Sequence, residues 1–334
     1  MTELIISGGL DSEEPEDRAD TGPDVELRQL VFGPAQHGQR LDRALVELVP
    51  EFSRSYLQQL IALEGVTVNG LVMNKPSARV KAADVGTIEL RPTPQSQAFK
   101  PEAMALTVVF EDDHLLVINK PAGLVVHPAP GNWSGTLLNG LLAHNAQAMN
   151  LPRAGIVHRL DKDTSGLMVV ARTRPVMDAL IRSIAAREVS RQYLALAHGP
   201  WAGQRQIEIN LPIGRDPRNR LRMAVVDLAR NSGKLARTDV ELLQNGDQGC
   251  WVRCTLHTGR THQIRVHMAQ LGHPLVGDVL YGGRVVVGMQ RQALHACRLA
   301  FTHPVTLGPM VFQASLPMDL NLALANWSLS YNEP

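Results

Sequence analysis

The stretch that decides the fold of this chain lies near its middle and reads AGIVHRLDKDTSGLMVVART (residues 154–173). Two carboxylates, Asp161 and Asp163, stand in a short polar segment that also contains Arg159 and Lys162. Apolar runs precede and follow this segment, which predicts a tight turn between two buried strands. A carboxylate in such a cation-rich turn is a candidate for binding or catalysis.

Calcium binding is the first chemistry to consider for this turn. Asp161, Asp163 and Ser165 fall on the first, third and fifth positions of an EF-hand loop. The twelfth position, however, is Arg172 and not the required glutamate, and the flanking patterns are those of strands and not of helices. We therefore exclude a calcium loop.

Two other interpretations stay open on the residues alone. Asp161 could be the nucleophile of a phosphotransferase of the haloacid dehalogenase type, with Asp278 as a magnesium ligand, although no second acid follows closely. A structural role, in which side chains cap backbone groups of the turn, suits residues 163–165. It does not account for the charged group at residues 158–161.

Composition and charge restrict the class of protein. The 334 residues are enough for two domains, and no apolar run approaches the roughly 20 residues of a membrane helix. The first 20 residues lack the features of a signal peptide, so we expect a cytoplasmic protein without a membrane partner. Residues 1–26 carry nine acids and one base, which leaves 32 Lys and Arg against 23 Asp and Glu elsewhere. This asymmetry suits a nucleic-acid binder, and a solvated tail beside an ordinary surface fits it equally well.

Cysteine and histidine spacing gives no sign of a metal site. Cys250, Cys254 and Cys297 are an odd number without dense spacing, which predicts buried thiols and no disulfide framework. His158 and His262 fit no zinc-binding pattern, and we expect them to pack beside other site residues. We expect neither a metal nor a cofactor.

Hydrophobic periodicity divides the chain into segments. Helical spacing at 40–49 and 53–61, a hairpin around Asn69-Gly70 and a strand at 87–90 predict a small module in which Ser53 caps the second helix. Order is expected to begin at about Gln39. Further strands are expected at 106–111, 115–119, 167–172, 192–198, 238–243 and 251–257, with helices at 174–187 and 261–271. This mixture predicts an α+β fold around a mixed, mainly antiparallel sheet. The expected division is a disordered acidic tail at 1–25, a first domain at 38–91, a linker at 92–105 and a second domain at 106–325.

The first module is similar to a known RNA-binding domain. Its pattern RLDRAL…SRSYLQQLI…GVTVNG…KPSARVKAADVGTIEL resembles the small domain named after ribosomal protein S-four. The resemblance implies two helices on a small sheet, with Arg40, Arg43 and Arg54 facing RNA phosphates. A solvated helix face without a partner is the alternative.

The rest of the chain is similar to one enzyme family. The segment HRLDKDTSG resembles the signature of the RluA/RluD family of RNA pseudouridine synthases, and further segments match the family in the same order. These segments are NKPAGLVVHP (119–128), GTL (135–137), RQYLA (191–195), IGRDP (213–217), TGRTHQIRVH (258–267), GHPL (272–275), GD (277–278), YG (281–282) and LHA (294–296).

The resemblance implies a role for several residues. Asp161 would attack the sugar or stabilise its charge, and Arg265 would keep that carboxylate ionised. Because the target base must be flipped out of the RNA, Tyr193 would stack on uracil and Arg159 would fill the gap. Arg260 would contact a phosphate.

The basic segment RDPRNRLR (215–222) is expected to clamp phosphates, with a solvated loop as the alternative. The residues of this clamp are Arg215, Arg218, Arg220 and Arg222. Ala83 and Leu221 depart slightly from the family pattern.

The RluD-type branch of the family implies the substrate, which would be 23S ribosomal RNA or its large-subunit precursor, at the helix 69 stem-loop. Another ribosomal site, transfer RNA, or a non-catalytic role in ribosome assembly are the alternatives. The chain has no coiled-coil heptads, and we expect a monomer.

Overall fold

A computed structural model of the chain describes residues 26–91, 98–219 and 221–330. The acidic tail at 1–25, Arg220 and residues 92–97 of the expected linker lie outside the described residues. The chain divides into two compact units between residues 97 and 98. None of the helices among the described residues has the length and apolar character needed to span a membrane.

The first unit is an antiparallel sheet in the order β1-β4-β2-β3, with two helices. Ser53 Oγ accepts a hydrogen bond from the Tyr56 backbone N–H at 3.3 Å, which confirms the expected helix cap. Asn69 and Gly70 have φ values of 50° and 78°, as a two-residue hairpin turn requires, and the expected hairpin is confirmed. The elements are β1 (Glu26–Val31), a 3-10 turn (Pro34–Gln36), α1 (Leu41–Leu48), α2 (Arg54–Ala62), β2 (Val66–Val68), β3 (Leu71–Val72) and β4 (Val85–Leu90).

Strand β1 corrects the expectation that order begins at about Gln39. It pairs with β4 over six residues, and Phe32, directly after it, is fully buried in the core of this unit. Leu30 is the only buried residue of the strand, so its sequence lacks the alternation that reveals a half-buried strand. Its partner lies more than fifty residues away along the chain, and this pairing is invisible to local patterns.

The second unit is built on a nine-stranded sheet in the order β5-β6-β7-β15-β8-β14-β13-β9, with β16 paired to β15. A separate three-stranded sheet has the order β11-β10-β12. The strands are β5 (Val108–Glu111), β6 (Leu115–Lys120), β7 (Ser165–Ala171), β8 (Ser190–His198), β9 (Gln206–Asn210), β10 (Ile213–Arg215), β11 (Met223–Val225), β12 (Gly233–Lys234), β13 (Arg237–Asn245), β14 (Gly249–Leu256), β15 (Leu294–Thr302) and β16 (Pro309–Gln313). The helices are α3 (Leu137–His144), α4 (Arg174–Ala185), α5 (Gln263–Gln270) and α6 (Met318–Asn326), with 3-10 segments at Ala146–Asn150, Pro152–Gly155 and Val279–Tyr281.

Strand pairing confirms the predicted fold class. Every pair in the large sheet is antiparallel except β7 with β15, which is parallel. The six strands expected in this part of the chain are present, with bounds shifted by a few residues. Strand β15, which lies between β7 and β8 near the centre of the sheet, was not predicted from the sequence.

The segment before the decisive turn is not the strand that its apolar residues suggest. Residues 152–155 form a 3-10 turn, and Ile156 forms only one isolated bridge, with Val170 of β7. Arg153, Ala154 and Gly155 all have positive φ, which interrupts extended structure. A side chain at Gly155 would place a Cβ 1.9 Å from the Ala171 carbonyl oxygen, so the chain can cross β7 this closely only with glycine there.

Candidate active site

A cavity of about 520 Å³ lies beside the turn after residue 156. Most of its wall comes from three segments that are far apart in the sequence: residues 156–164, the beginning of β8, and residues 256–265. Residues 184–187 and the single residues His127, Arg153 and Leu294 complete it. Asp161 is the only carboxylate among the described residues that line it, whereas six arginines do so. These arginines are Arg153, Arg159, Arg187, Arg191, Arg260 and Arg265. The cavity is therefore strongly cationic.

Two cations, the buried Lys120 and the largely buried Arg291, hold the backbone of the Asp161 turn (residues 157–164). Lys120, which is 1% exposed, donates from Nζ to the carbonyl oxygens of Pro121, Leu124 and Lys162 at 2.8–2.9 Å. Burial lowers the pKa of Lys120 to about 8. Arg291 donates to the carbonyl oxygen of Asp163 at 2.9 Å. These bonds hold the backbone of the turn, while the Asp161 side chain faces the cavity.

The carboxylate of Asp161 belongs to a charged chain with Arg265 and Asp278. Arg265 Nη1 donates to Asp161 Oδ2 at 3.1 Å, and its Nε and Nη2 donate to both oxygens of Asp278 at 2.7 and 2.8 Å. The side chains are 17%, 8% and 1% exposed, in the order Asp161, Arg265, Asp278. Burial opposes the charge of Arg265, but the two carboxylates outweigh it and raise the pKa of the guanidinium. The two carboxylates therefore keep the guanidinium of Arg265 charged. Asp278 fixes its Nε and Nη2 side, and its Nη1 points at Asp161.

Helix α5 places Arg265 within its first turn, and two neighbours support it. The Tyr281 ring lies under the guanidinium, with Cζ 5.0 Å from the ring centroid. Tyr281 Oη accepts from the Met223 backbone N–H at 2.9 Å and lies 2.8 Å from His262 Nδ1, so its own proton is available to that nitrogen. Nε2–H of His262 then faces Asp161 Oδ2 at 3.9 Å, and burial lowers the pKa of His262, which favours this neutral form.

Tyr193 lies across the cavity on strand β8 and is 5% exposed. Burial raises the pKa of its hydroxyl to about 12, although the positive charge of Arg191 partly opposes the shift. His158 also lines the cavity, and its Nε2 accepts from the Val169 backbone N–H at 3.1 Å. Burial lowers the pKa of His158 to about 3, so this histidine is a neutral packing group and carries no charge.

Comparison with known proteins identifies the class to which this arrangement belongs. A family model described as RNA pseudouridylate synthase matches residues 114–270, and a model of the S4 domain matches residues 39–85. The chain is 48% identical over 296 residues to the ribosomal large subunit pseudouridine synthase D of Neisseria meningitidis serogroup B, which covers 85% of this chain and 77% of the relative. A relative of the same name from Yersinia pestis is 45% identical over 300 residues, covering 86% of this chain and 90% of the relative. The chain belongs to the RNA pseudouridine synthase family.

Solved structures agree with the assignment of this RNA pseudouridine synthase. The structure named human RNA pseudouridylate synthase domain containing 1 is 28% identical, with a TM-score of 0.52, and the match covers 68% of this chain and 90% of that one. The expected S-four-like module followed by a synthase domain is thereby confirmed. Membership of an isomerase family also favours the synthase interpretation of Asp161 over the phosphotransferase alternative.

The structure of the synthase brings together five of the predicted site residues. Asp161, Arg265, Tyr193, Arg159 and Arg260 all line the one cavity. Arg159 is exposed, and Arg260 donates from Nε to the Leu235 carbonyl oxygen at 3.1 Å. The segments that carry them are separated by up to about a hundred residues.

The expected phosphate clamp lies in a loop that ends at strand β11. Arg222 forms an ion pair with Asp216 at 2.5 Å, while the side chain of Arg218 is exposed and its backbone N–H is bonded to Asp216. Arg215 is exposed as well. The first residue of β11, Met223, is bonded to Tyr281, so the loop ends beside the Asp161, Arg265 and Asp278 group.

In the S4 domain, two of the three expected RNA contacts are organised by Asp42. This carboxylate is fully buried and accepts from Arg40, Arg54 and Gln58 at 2.6–3.2 Å. Although burial opposes ionisation, these hydrogen bonds keep the pKa of Asp42 well below its usual value. The guanidiniums of Arg40, directly before α1, and Arg54, at the start of α2, are thereby both bonded to one carboxylate, and Arg43 is exposed on α1.

The residues that support the site were not predicted from the sequence. Asp278 and Tyr281 appear in segments that match the family, yet the resemblance gives them no role, and Asp278 is considered only as a magnesium ligand in the phosphotransferase alternative. Lys120 and Arg291 are equally unpredicted. The sequence does contain a signal for Asp278, which is the one charged residue in the apolar segment LVGDVL (275–280). A carboxylate that is buried in such a segment is expected to pair with a cation. The described residues contain no cluster of three or more His, Cys, Asp or Glu side chains that could hold a metal ion.

Proposed function

We propose that this protein converts uridines of 23S ribosomal RNA, in the helix 69 stem-loop, to pseudouridine. The names of the relatives support a large-subunit ribosomal substrate. The main support for the proposal is the ion pair between Asp161 and Arg265 in a cavity of excess positive charge. Arg265 is in turn held by Asp278. We further propose that the protein acts as a monomer in the cytoplasm.

In the proposed reaction Asp161 acts at the ribose of the flipped uridine. The bond between ribose and uracil nitrogen breaks, the base turns, and a bond from ribose to uracil carbon forms. An ionised carboxylate can attack the sugar or stabilise its developing positive charge. Arg265 donates a hydrogen bond to that carboxylate at 3.1 Å, and Asp278 holds the guanidinium in place.

The remaining cavity residues hold the nucleotide. Tyr193 provides an aromatic face for the uracil ring, and Arg159 occupies the space that the flipped base leaves in the RNA. Arg260 binds a phosphate at the rim. Asp278 and Tyr281 act through Arg265 and are positioning residues.

Charges outside the cavity bind the RNA that surrounds the target. In the S4 domain Arg40, Arg43 and Arg54 neutralise phosphates, and the second set lies in the loop before β11. Such contacts fix the RNA in place and do not read its sequence. The second set consists of Arg215, Arg218, Arg220 and Arg222.

Tritium release tests the proposal directly. Large-subunit RNA from cells that lack the protein would carry tritium at uracil carbon 5, because that hydrogen is lost when the new bond forms. Wild type should release tritium in a single turnover in the presence of a chelator, and Asp161→Asn should not. Asp163→Asn is a matched control, because this neighbouring carboxylate does not line the cavity. Sequencing of the product then maps the uridine.

Two outcomes would contradict the proposal. Tight binding of the RNA without release by wild type would instead support a non-catalytic assembly role or a transfer-RNA substrate. Loss of activity in chelator would favour phosphotransfer chemistry with a metal.

A further inference from the structure

Arg191 is a buried cation in the cavity wall, and no described residue supplies it with a counter-ion. It is 7% exposed and stands two residues before Tyr193 on β8. Among the described residues, no carboxylate lies within 4.0 Å of its guanidinium, and the buried Nε has no hydrogen-bond partner. Arginine keeps its charge at any pH at which proteins fold, and a buried charge without a partner is costly. The residue is therefore built for an anion that the protein itself does not supply.

The acid within the cavity cannot serve as that anion. Asp161 is already bonded to Arg265, which is also the closest cation to it. The other cations of the wall leave the cavity with a large positive excess. An anionic ligand would relieve this excess where a neutral one would not.

The opposite segment of the cavity is shaped around the guanidinium. A Cβ at Gly259 would lie 2.9 Å from Arg191 Nη1, closer than real contacts of this kind allow. Gly259 does not have a positive φ, so its backbone conformation does not require glycine. A side chain there would require the Arg191 guanidinium to move from its position.

We propose that Arg191 is an anion subsite that binds a phosphodiester group of the nucleotide turned into the cavity. This inference rests on the proposed function, in which that nucleotide is a uridine of RNA. Its base is neutral, so the phosphates beside it are the anions that it brings into the cavity. Arg191 and Tyr193 lie on one face of the strand, roughly 6.6 Å apart along it. A base against the tyrosine therefore places one of its flanking phosphates near the guanidinium, whose planar fork suits two phosphate oxygens.

The test removes the charge from each side of the contact in turn. The substrate is a stem-loop RNA that contains the uridine mapped by tritium release, with a neutral methylphosphonate placed either 5′ or 3′ of it. The proteins are wild type, Arg191→Met and Arg182→Met, the last being the same change at an exposed arginine outside the cavity. The measured quantity is kcat/KM for tritium release.

We expect one of the two methylphosphonates to lower kcat/KM of wild type by about tenfold to a hundredfold, the usual size of a charged hydrogen bond. Arg191→Met should show the same loss with unmodified RNA and no further loss with that methylphosphonate. Arg182→Met should behave as wild type. Two results would overturn the proposal. One is that the methylphosphonate lowers kcat/KM of Arg191→Met by the same factor as that of wild type, and the other is that wild type is insensitive to both methylphosphonates.

Gly259→Ala keeps the proposal testable if Arg191→Met does not fold. Its new methyl group displaces the guanidinium without removing the charge, and we expect reduced sensitivity to the same methylphosphonate. Full wild-type sensitivity in folded Gly259→Ala would also overturn the subsite. Failure of the proposed function appears earlier, in the mapping step, because no uridine would then be found.

Discussion

Asp278→Asn isolates the contribution of the residue that holds Arg265. The change keeps the shape of the side chain and removes the charge that receives two hydrogen bonds, at 2.7 and 2.8 Å, within a site where Asp278 is 1% exposed. Breaking a buried ion pair costs about 3–5 kcal/mol. Asparagine retains one acceptor oxygen, so we expect the lower end, about 3 kcal/mol, in the free energy of unfolding.

The same change should reduce catalysis. Arg265 would keep Asp161 as its one counter-ion and would draw that carboxylate away from its present position. Misplacement of a reacting group by a small distance costs about a hundredfold in rate, which corresponds to about 2.7 kcal/mol of transition-state stabilisation. The single-turnover rate of tritium release at saturating protein measures this effect, and urea denaturation measures stability.

Asp178→Asn is the matched control for this experiment. Asp178 also forms an ion pair with an arginine, Arg174, which lies one turn earlier on α4, but both side chains are exposed. An exposed pair of this kind contributes little, so stability and rate should both stay close to wild type. A rate of Asp278→Asn within threefold of wild type, in folded protein, would refute the positioning role of Asp278.

Three further predictions concern other parts of the chain. The pKa of Lys120 lies at about 8 in the folded protein, against 10.5 for the unfolded chain, so the folded state loses its proton first. The free energy of unfolding of wild type should therefore rise by about 3 kcal/mol between pH 8 and 10.5 relative to Lys120→Met in urea melts, and parallel curves would contradict this. Gly155→Ala should leave little folded protein by circular dichroism, because its Cβ would meet the Ala171 carbonyl at 1.9 Å; a stable variant would show that the crossing can relax. Arg43→Ala should lower the salt dependence of RNA binding by a slope of about 0.7–0.9, and an unchanged slope would place Arg43 outside the RNA interface.

The sequence predicted those elements whose signal is local. The hairpin at Asn69-Gly70 and the cap at Ser53 depend on residues within a few positions of one another, and both are present. Strand β7 follows from its unbroken apolar run. Strands β1 and β15 were missed because their stability comes from partners far along the chain, β4 in one case and β7 with β8 in the other.

The same division holds for the site. The turn around Asp161, the tyrosine of β8 and the arginine of α5 could be selected from motifs, since each motif is continuous in sequence. Their common cavity could not, nor could the supporting bonds of Asp278, because burial and hydrogen-bond geometry depend on how the segments meet. Arg191 shows this most clearly: its sequence position is visible, but its missing counter-ion is not.

By itself, the sequence determined the class of this protein: a small RNA-binding module joined to an α+β domain with the segments of a pseudouridine synthase in order. Only the tertiary structure decided which cations are paired and which face an open cavity. The physical reason is that the electrostatic energy of a charged side chain depends on all the groups within a few ångströms of it. Those groups come from segments up to about a hundred residues apart, as the pairing of Asp161 with Arg265 shows.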